Sequence, residues 1–174
     1  MIFLIAGKAG SGKDTVAEIM KNKLKEKTVI TPYAGYLKWL YSHYFGWDGE
    51  KDLKFRTDIQ TIGTDIVRNT YCADFWVDRV IEQIQIFNGH FEHFIIPDAR
   101  FENEITKIIE TFGADQVITI RVLRPDYQSW LSEEQMAHES ETALDDYPVD
   151  FTFTNSSMRE LEQQIDLIIN ELNS

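Results

Sequence analysis

Gly7-Lys8-Ala9-Gly10-Ser11-Gly12-Lys13-Asp14-Thr15 is the stretch that decides the fold of this 174-residue chain. It reads G-x-x-x-x-G-K, with Asp14 where such loops normally carry Ser or Thr. An apolar, strand-like run (Ile2–Ala6) precedes it. A helical pattern follows from Lys13, with Val16, Ile19, Met20 and Leu24 on one stripe. Glycines let the backbone curl so that successive N–H groups turn inward toward phosphate oxygens. The helix that begins at Lys13 adds the positive end of its dipole. Lys13 brings a charge for the β- and γ-phosphates of a nucleotide. Gly7 to Thr15 is therefore read as the donor-phosphate site, with Asp14 or Thr15 orienting magnesium.

Outward from this loop, the pattern predicts further strands near 28–30, 94–96, 116–123 and 150–154. Helices are predicted over 36–45, 52–69, 74–87 and 102–112, and after a capping box at Ser157–Glu160. Strands alternating with helices specify a parallel sheet covered on both faces. One domain is expected over 1–174. Two connections exceed a simple crossover: 31–91, largely helical, and 124–147, polar and poorly periodic apart from a short helix at Glu133–His138. Long insertions of this kind are usually binding segments or lids, so 31–91 is expected to bind an acceptor and 124–147 to close over it, both at the carboxyl ends of the strands. On the 52–69 helix, a count at about 100° per residue turns Ile59, Ile62 and Ile66 inward and puts Gln60, Thr64 and Arg68 on a separate polar face.

The formal charge of −12 is concentrated in the last third, where Pro125–Ser174 carries twelve acidic residues against the single base Arg159. Such a surface argues against nucleic acid as a partner. No apolar run is long enough to span a membrane, and the short apolar start abuts the loop as a core strand rather than a leader. Cys72 is the only cysteine, so no internal disulfide forms and a reducing, cytoplasmic setting is expected. The four histidines, His43, His90, His93 and His138, show no metal-ligand spacing. No Thr/Asn-Lys-x-Asp guanine-reading element and no Gly-x-Ser-x-Gly or Cys/His nucleophile pattern occurs.

Asp98 ends a buried strand, either as a magnesium-associated carboxylate or as a cap for the helix that follows. Arg100 is a phosphate ligand or a surface partner of Glu102 or Glu104. Arg68 either grips a phosphate bidentately or pairs with Asp65 at i, i+3. Arg124 opens the second long connection and suits a lid. Tyr33, or one of the aromatics between Trp39 and Trp47, has the chemistry to stack on a base. Asn155 is an adenine contact or a turn residue.

These pieces resemble the deoxynucleoside monophosphate kinases of phages and their relatives. The resemblance is carried by Gly10–Thr15, by Ala34 with Leu37-Lys38, and by Ile62-Gly63-Thr64-Asp65 with Val67-Arg68, followed by Phe75-Trp76-Val77. Asp98 with Arg100-Phe101 and Asn103-Glu104, His138 with Ser140-Glu141, and Thr154-Asn155 complete it. It implies a nucleotide-kinase-like fold and magnesium-assisted transfer of the γ-phosphoryl group of ATP to a (deoxy)nucleoside monophosphate. Lys13, Arg68, Arg100 and Arg124 would be the catalytic set. Tyr33, Lys38, Asp65, Trp76, Asp98, Glu104, His138 and Glu141 would line the substrate site with Arg68 and Arg100. Asp14, Thr15 and Asp98 would serve the Mg2+ ion. The resemblance also implies a cytoplasmic enzyme (the host's cytoplasm if phage-encoded) acting on a small molecule, and it leaves a homodimer open. A looser likeness of the loop extends to dephospho-CoA kinase and phosphomevalonate kinase. A kinase for another small phosphorylated acceptor, or a nucleotide-binding module without turnover, therefore stays open.

Overall fold

The computed structural model describes residues 1–25, 27–50 and 52–172. Five strands, β1 (Ile2–Ala6), β2 (Thr28–Ile30), β3 (His93–Ala99), β4 (Val117–Leu123) and β5 (Phe151–Thr154), form one sheet in the order β2-β3-β1-β4-β5. Every pairing is parallel. The first strand therefore sits at the centre, buried along its whole length, and delivers the glycine loop to the middle of the sheet's carboxyl edge.

The period of two in β1 divides the core. Ile2, Leu4 and Ala6 face one layer, packed with α2 (Ala34–Phe45), α4 (Phe75–Phe87) and α5 (Glu102–Phe112) through Leu37, Val77, Val80, Ile84, Ile105 and Ile108. Phe3 and Ile5 face the other, against Val16, Ala17 and Met20 of α1 (Lys13–Leu24) and Leu161, Ile165 and Ile168 of α8 (Met158–Leu172). Burial on both faces explains why these strands read as continuous apolar runs.

Two details depart from the sequence reading, and both move functional residues. The strand expected to stop at Pro97-Asp98 runs on to Ala99, because β1 and β3 slip register by one residue: Leu4 faces Ile96, but Ala6 faces Ala99. Pro97 has no N–H for the ladder, and the slip absorbs the extra residue. The predicted 52–69 helix is α-helical only as α3 (Leu53–Gln60). It continues as a π-helix over Thr61–Tyr71, closed by the Cys72 N–H on the Val67 carbonyl. Wider turns carry Ile66 out to solvent, where it is 53 % exposed, and not inward as a strict α period requires. Gln60, Thr64 and Arg68 are buried instead, so the polar face is an interior one.

The second long connection contains two short helices, α6 (Glu133–Ala137) and α7 (Glu139–Thr142), broken at His138. Among the described residues no helix is long and apolar enough to cross a membrane. Leu161→Ala, which empties a fully buried site between α1 and α8, is expected to cost about 2–5 kcal/mol in urea unfolding. Ile66→Ala is expected to stay within about 0.5 kcal/mol, and an equal cost would restore the α-helical phase.

Candidate active site

The glycines of the loop between β1 and α1 take backbone conformations and close approaches that no other residue would allow. Gly10 and Gly12 have φ of +76° and +101°, and a Cβ would lie 2.2 Å from the Tyr127 ring at Gly10 and 2.3 Å from Asn155 Nδ2 at Gly12. Asn155 Nδ2 donates to the Ser11 carbonyl at 2.9 Å. Asn155 is thus more than a plain turn residue, because its amide nitrogen clamps the loop. Lys13 is buried, and its Nζ donates to the carbonyls of Gly7 (2.7 Å) and Lys8 (2.8 Å). Burial holds its pKa well below the ordinary lysine value. Arg100 and Arg56 push in the same direction, while Glu141 and Asp14 oppose them.

From this loop a cavity of 430 Å³ extends under α2 and α3. Asp98, turned by the register slip, accepts the N–H groups of Tyr33 (2.8 Å) and Ala34 (3.0 Å). It does cap a helix, but the helix is α2 and not α5. Each carboxylate oxygen accepts one of these N–H groups. Deeper in, Glu104 is fully enclosed. It takes Arg68 at 2.5 Å on one oxygen and the Arg100 and Phe101 N–H groups at 2.7 and 3.1 Å on the other. Burial raises its pKa to about 7, against the opposing pull of Arg68 and the two N–H groups. Arg68 also donates to Asn103 Oδ1 at 2.6 Å and lies 3.7 Å from the Phe101 ring centre. Its expected partner Asp65 is exposed and elsewhere. Tyr33 donates its hydroxyl to the Glu104 carbonyl (2.7 Å), and the Trp76 indole donates to the Gly63 carbonyl (2.8 Å).

The second long connection lies across the cavity mouth. Glu141 on α7 is buried and accepts the Ala9 N–H of the loop at 2.8 Å and Arg100 Nη1 at 2.8 Å. Arg100 also reaches the Ser140 carbonyl at 3.2 Å, so its partners are on α7, not Glu102. His138 Nδ1 accepts the Ser140 N–H, while its Nε2 stands 3.5 Å from Asp65. Lys8 pairs with Asp145 at 2.6 Å, and Arg124 Nη1 donates to the Gly10 carbonyl at 3.3 Å.

Of the residues singled out in the sequence, Lys13, Asp14, Thr15, Tyr33, Lys38, Arg68, Trp76, Asp98, Arg100, Glu104, Arg124 and Glu141 do border one cavity. Asp65 and His138 do not. They lie 3.5 Å apart outside it, Asp65 on the π-helix and His138 just before α7. Sequence reasoning missed Arg56, Phe55 and Trp130, which also border the cavity. Arg56 was within reach: positions 56, 60, 64 and 68 form one i, i+4 series, and the polar face needed only one more turn toward the N-terminus. Among the described residues no group of three or more His, Cys, Asp or Glu converges, so no protein cage for a metal exists there. A magnesium ion would rely on Thr15, on Asp14 and on the oxygens of a bound phosphate.

The chain is similar to phosphomevalonate kinase of Drosophila melanogaster, at 27 % identity over 98 % of this chain and 96 % of that one. It is 27 % identical to the deoxynucleotide monophosphate kinase of Enterobacteria phage T4 over 67 % of this chain and 45 % of the phage protein. Dephospho-CoA kinase from Campylobacter jejuni superimposes with a TM-score of 0.55 at 18 % identity (98 % and 96 % covered). Thymidylate kinase from Ehrlichia chaffeensis does so at 0.51 and 13 % identity (99 % and 98 % covered). The fold is that of the P-loop nucleotide kinases, and the chemistry is that of a kinase acting on a nucleotide or another small phosphorylated substrate. The sequence profile of the deoxynucleotide monophosphate kinases matches residues 36–165, and the chain belongs to that family.

Proposed function

We propose that this protein transfers the γ-phosphoryl group of ATP to a deoxynucleoside monophosphate, giving the diphosphate and ADP. The observation that carries the reading is one continuous cavity bordered by Gly10 and Gly12 of the loop, by Lys13, Arg56 and Arg100, and by an aromatic recess of Tyr33, Phe55, Trp76 and Phe101. The loop suits a triphosphate, the cations suit phosphate charge, and the aromatic recess suits a nucleobase. In this reading 31–91 supplies the acceptor wall and 124–147 the lid, in a compartment where the single cysteine stays reduced.

The acceptor already carries an ionised phosphate oxygen, so positioning and charge neutralisation matter more than a general base. Loop N–H groups and Lys13 hold the donor phosphates. Magnesium, when bound, would neutralise charge shared between the β- and γ-phosphates, beside Thr15 and Asp14. Arg100 faces the transferring group from the sheet edge. Arg124 and Glu141 close the mouth and keep water out, which would otherwise accept the phosphoryl group. Arg68 acts through Glu104: the pair fixes the Arg100 and Phe101 backbone and so aims Arg100.

A second reading, phosphomevalonate as acceptor, is favoured by the relative that matches nearly the whole chain. Mg-ATP with a panel of ribo- and deoxynucleoside monophosphates and with phosphomevalonate, followed by ADP release, separates the two. Deoxynucleotide-dependent ADP is expected. Turnover with phosphomevalonate alone would replace the first reading, and no turnover with any acceptor would leave a binding module. Lys13→Ala is expected to lower turnover on the order of 100-fold or more.

Glu104 has a folded-state pKa of about 7, above the ordinary 4.5, so between those values the folded protein holds a proton that the unfolded chain has released. Its contribution to stability is full below about pH 4.5 and is lost as pH rises toward 7. Melting temperatures from pH 4.5 to 7.5 should therefore fall more steeply with pH in the wild type than in Glu104→Gln. Equal slopes would mean that Glu104 is already ionised at the acid end.

A further inference from the structure

The arginines that border the cavity are not equally occupied. Arg68 holds Glu104 and Asn103, Arg100 holds Glu141 and the Ser140 carbonyl, and Arg124 reaches the Gly10 carbonyl. Arg56 takes part in no ion pair and in no side-chain hydrogen bond among the described residues, and its Nε is buried without a partner. Its guanidinium lies 5.9 Å from the Trp130 ring centre, which braces it from the side of the second long connection. Burial lowers its pKa, and Arg100 lowers it further, while Glu141, Asp14 and Tyr127 act in the opposite direction. Arg56 thus stands among other cations, half withdrawn from water and with unused donors.

A fold gains little from a partly buried guanidinium whose donors stay unfilled beside like charges. Ordinary surface pairing does not explain its position either, since α3 could turn the side chain outward. The arrangement makes sense if an anion arrives. Arg56 borders the cavity on α3, next to Phe55 of the aromatic recess, while Lys13 borders it from the start of α1. Its electrostatic neighbours are Arg100 at the sheet edge, Asp14 on the loop helix and Glu141 on α7. The anion it faces therefore lies between the donor loop and the recess, where the phosphate of the acceptor belongs if the proposed phosphotransfer is correct.

We propose that Arg56 is the residue that grips the acceptor's phosphate monoester, the role that the sequence had suggested for Arg68. It holds that dianion while one of its oxygens forms a bond to the γ-phosphorus. The bond from the γ-phosphorus to the β,γ-bridging oxygen breaks, and its electron pair leaves with ADP. Planar guanidinium donors match two phosphate oxygens at once, and the positive charge screens the approach of one phosphate to another. Glu141, whose carboxylate holds Arg100 and the Ala9 N–H beside it, balances the cluster before the acceptor enters.

The test uses the full-length chain with Arg56→Ala and Arg56→Met; the methionine keeps an apolar stem against Trp130. In steady-state kinetics the acceptor kcat/KM is expected to fall about 100-fold or more, with the KM for ATP within about twofold of wild type. A second measurement does not depend on which acceptor is used. With ADP present to fill the loop, millimolar orthophosphate should raise the wild-type melting temperature, and Arg56→Met should abolish most of that rise. A lost rise in a protein that turns over no nucleoside monophosphate would retain Arg56 as a phosphate ligand while retiring the nucleotide reading. Acceptor kinetics within twofold of wild type would overturn the proposal. So would an equal loss of ATP affinity, an orthophosphate shift that survives in Arg56→Met, or no shift in the wild type.

Discussion

The enclosed carboxylate of Glu104 ties the π-helix and α2 side of the cavity to the sheet. One oxygen anchors Arg68 from the π-helix, and the other collects the N–H groups of Arg100 and Phe101 as the chain leaves β3. A buried carboxylate is costly unless its lone pairs are filled, and here three donors fill them. The same turn receives the Tyr33 hydroxyl on the Glu104 carbonyl, which brings the start of α2 to the same point. Removing any one partner would leave a charge or a donor stranded in the interior. The geometry of Arg100 therefore follows from a contact made away from the loop.

A second layer of charge balance lies at the loop itself. Lys13, Arg56 and Arg100 share one region and repel one another, and Glu141 is the carboxylate drawn in among them. Its bond to the Ala9 N–H uses one of the backbone donors that a phosphate-binding loop presents. On one side of this contact the second long connection pairs Asp145 with Lys8, and on the other His138 stands beside Asp65. In the proposed reaction, a phosphate at the loop would compete with this carboxylate for the same donors.

Much of this was legible from spacing. The glycine loop, the parallel sheet, the two long connections and the polar series on the 52–69 helix all follow from patterns within a few residues of one another, but that this series faces the interior does not. Arg56 belongs to that series one turn before Gln60, but it lies outside the motif that marks Arg68. The π-helical phase was not legible, since Ile59, Ile62 and Ile66 satisfy an α period equally well. The register slip at Pro97 was read as a strand end for a similar reason: proline ends most strands, and only the neighbouring β1 shows that the ladder resumes at Ala99.

The sequence by itself determined the loop, the order of elements and the set of charged residues from which a phosphate site is assembled. These depend on local backbone preference and on the periods of strand and helix, which act over one or two turns. Only the tertiary structure decided which charge meets which. Arg68 finds Glu104 across 36 positions, Ala9 finds Glu141 across 132, and Asp98 caps a helix 64 positions earlier in the chain. Short-range pairings with Asp65, Glu102 or the following helix were chemically reasonable. They lost because burial rewards a partner that completes a carboxylate's hydrogen bonds, whereas an exposed pair adds little.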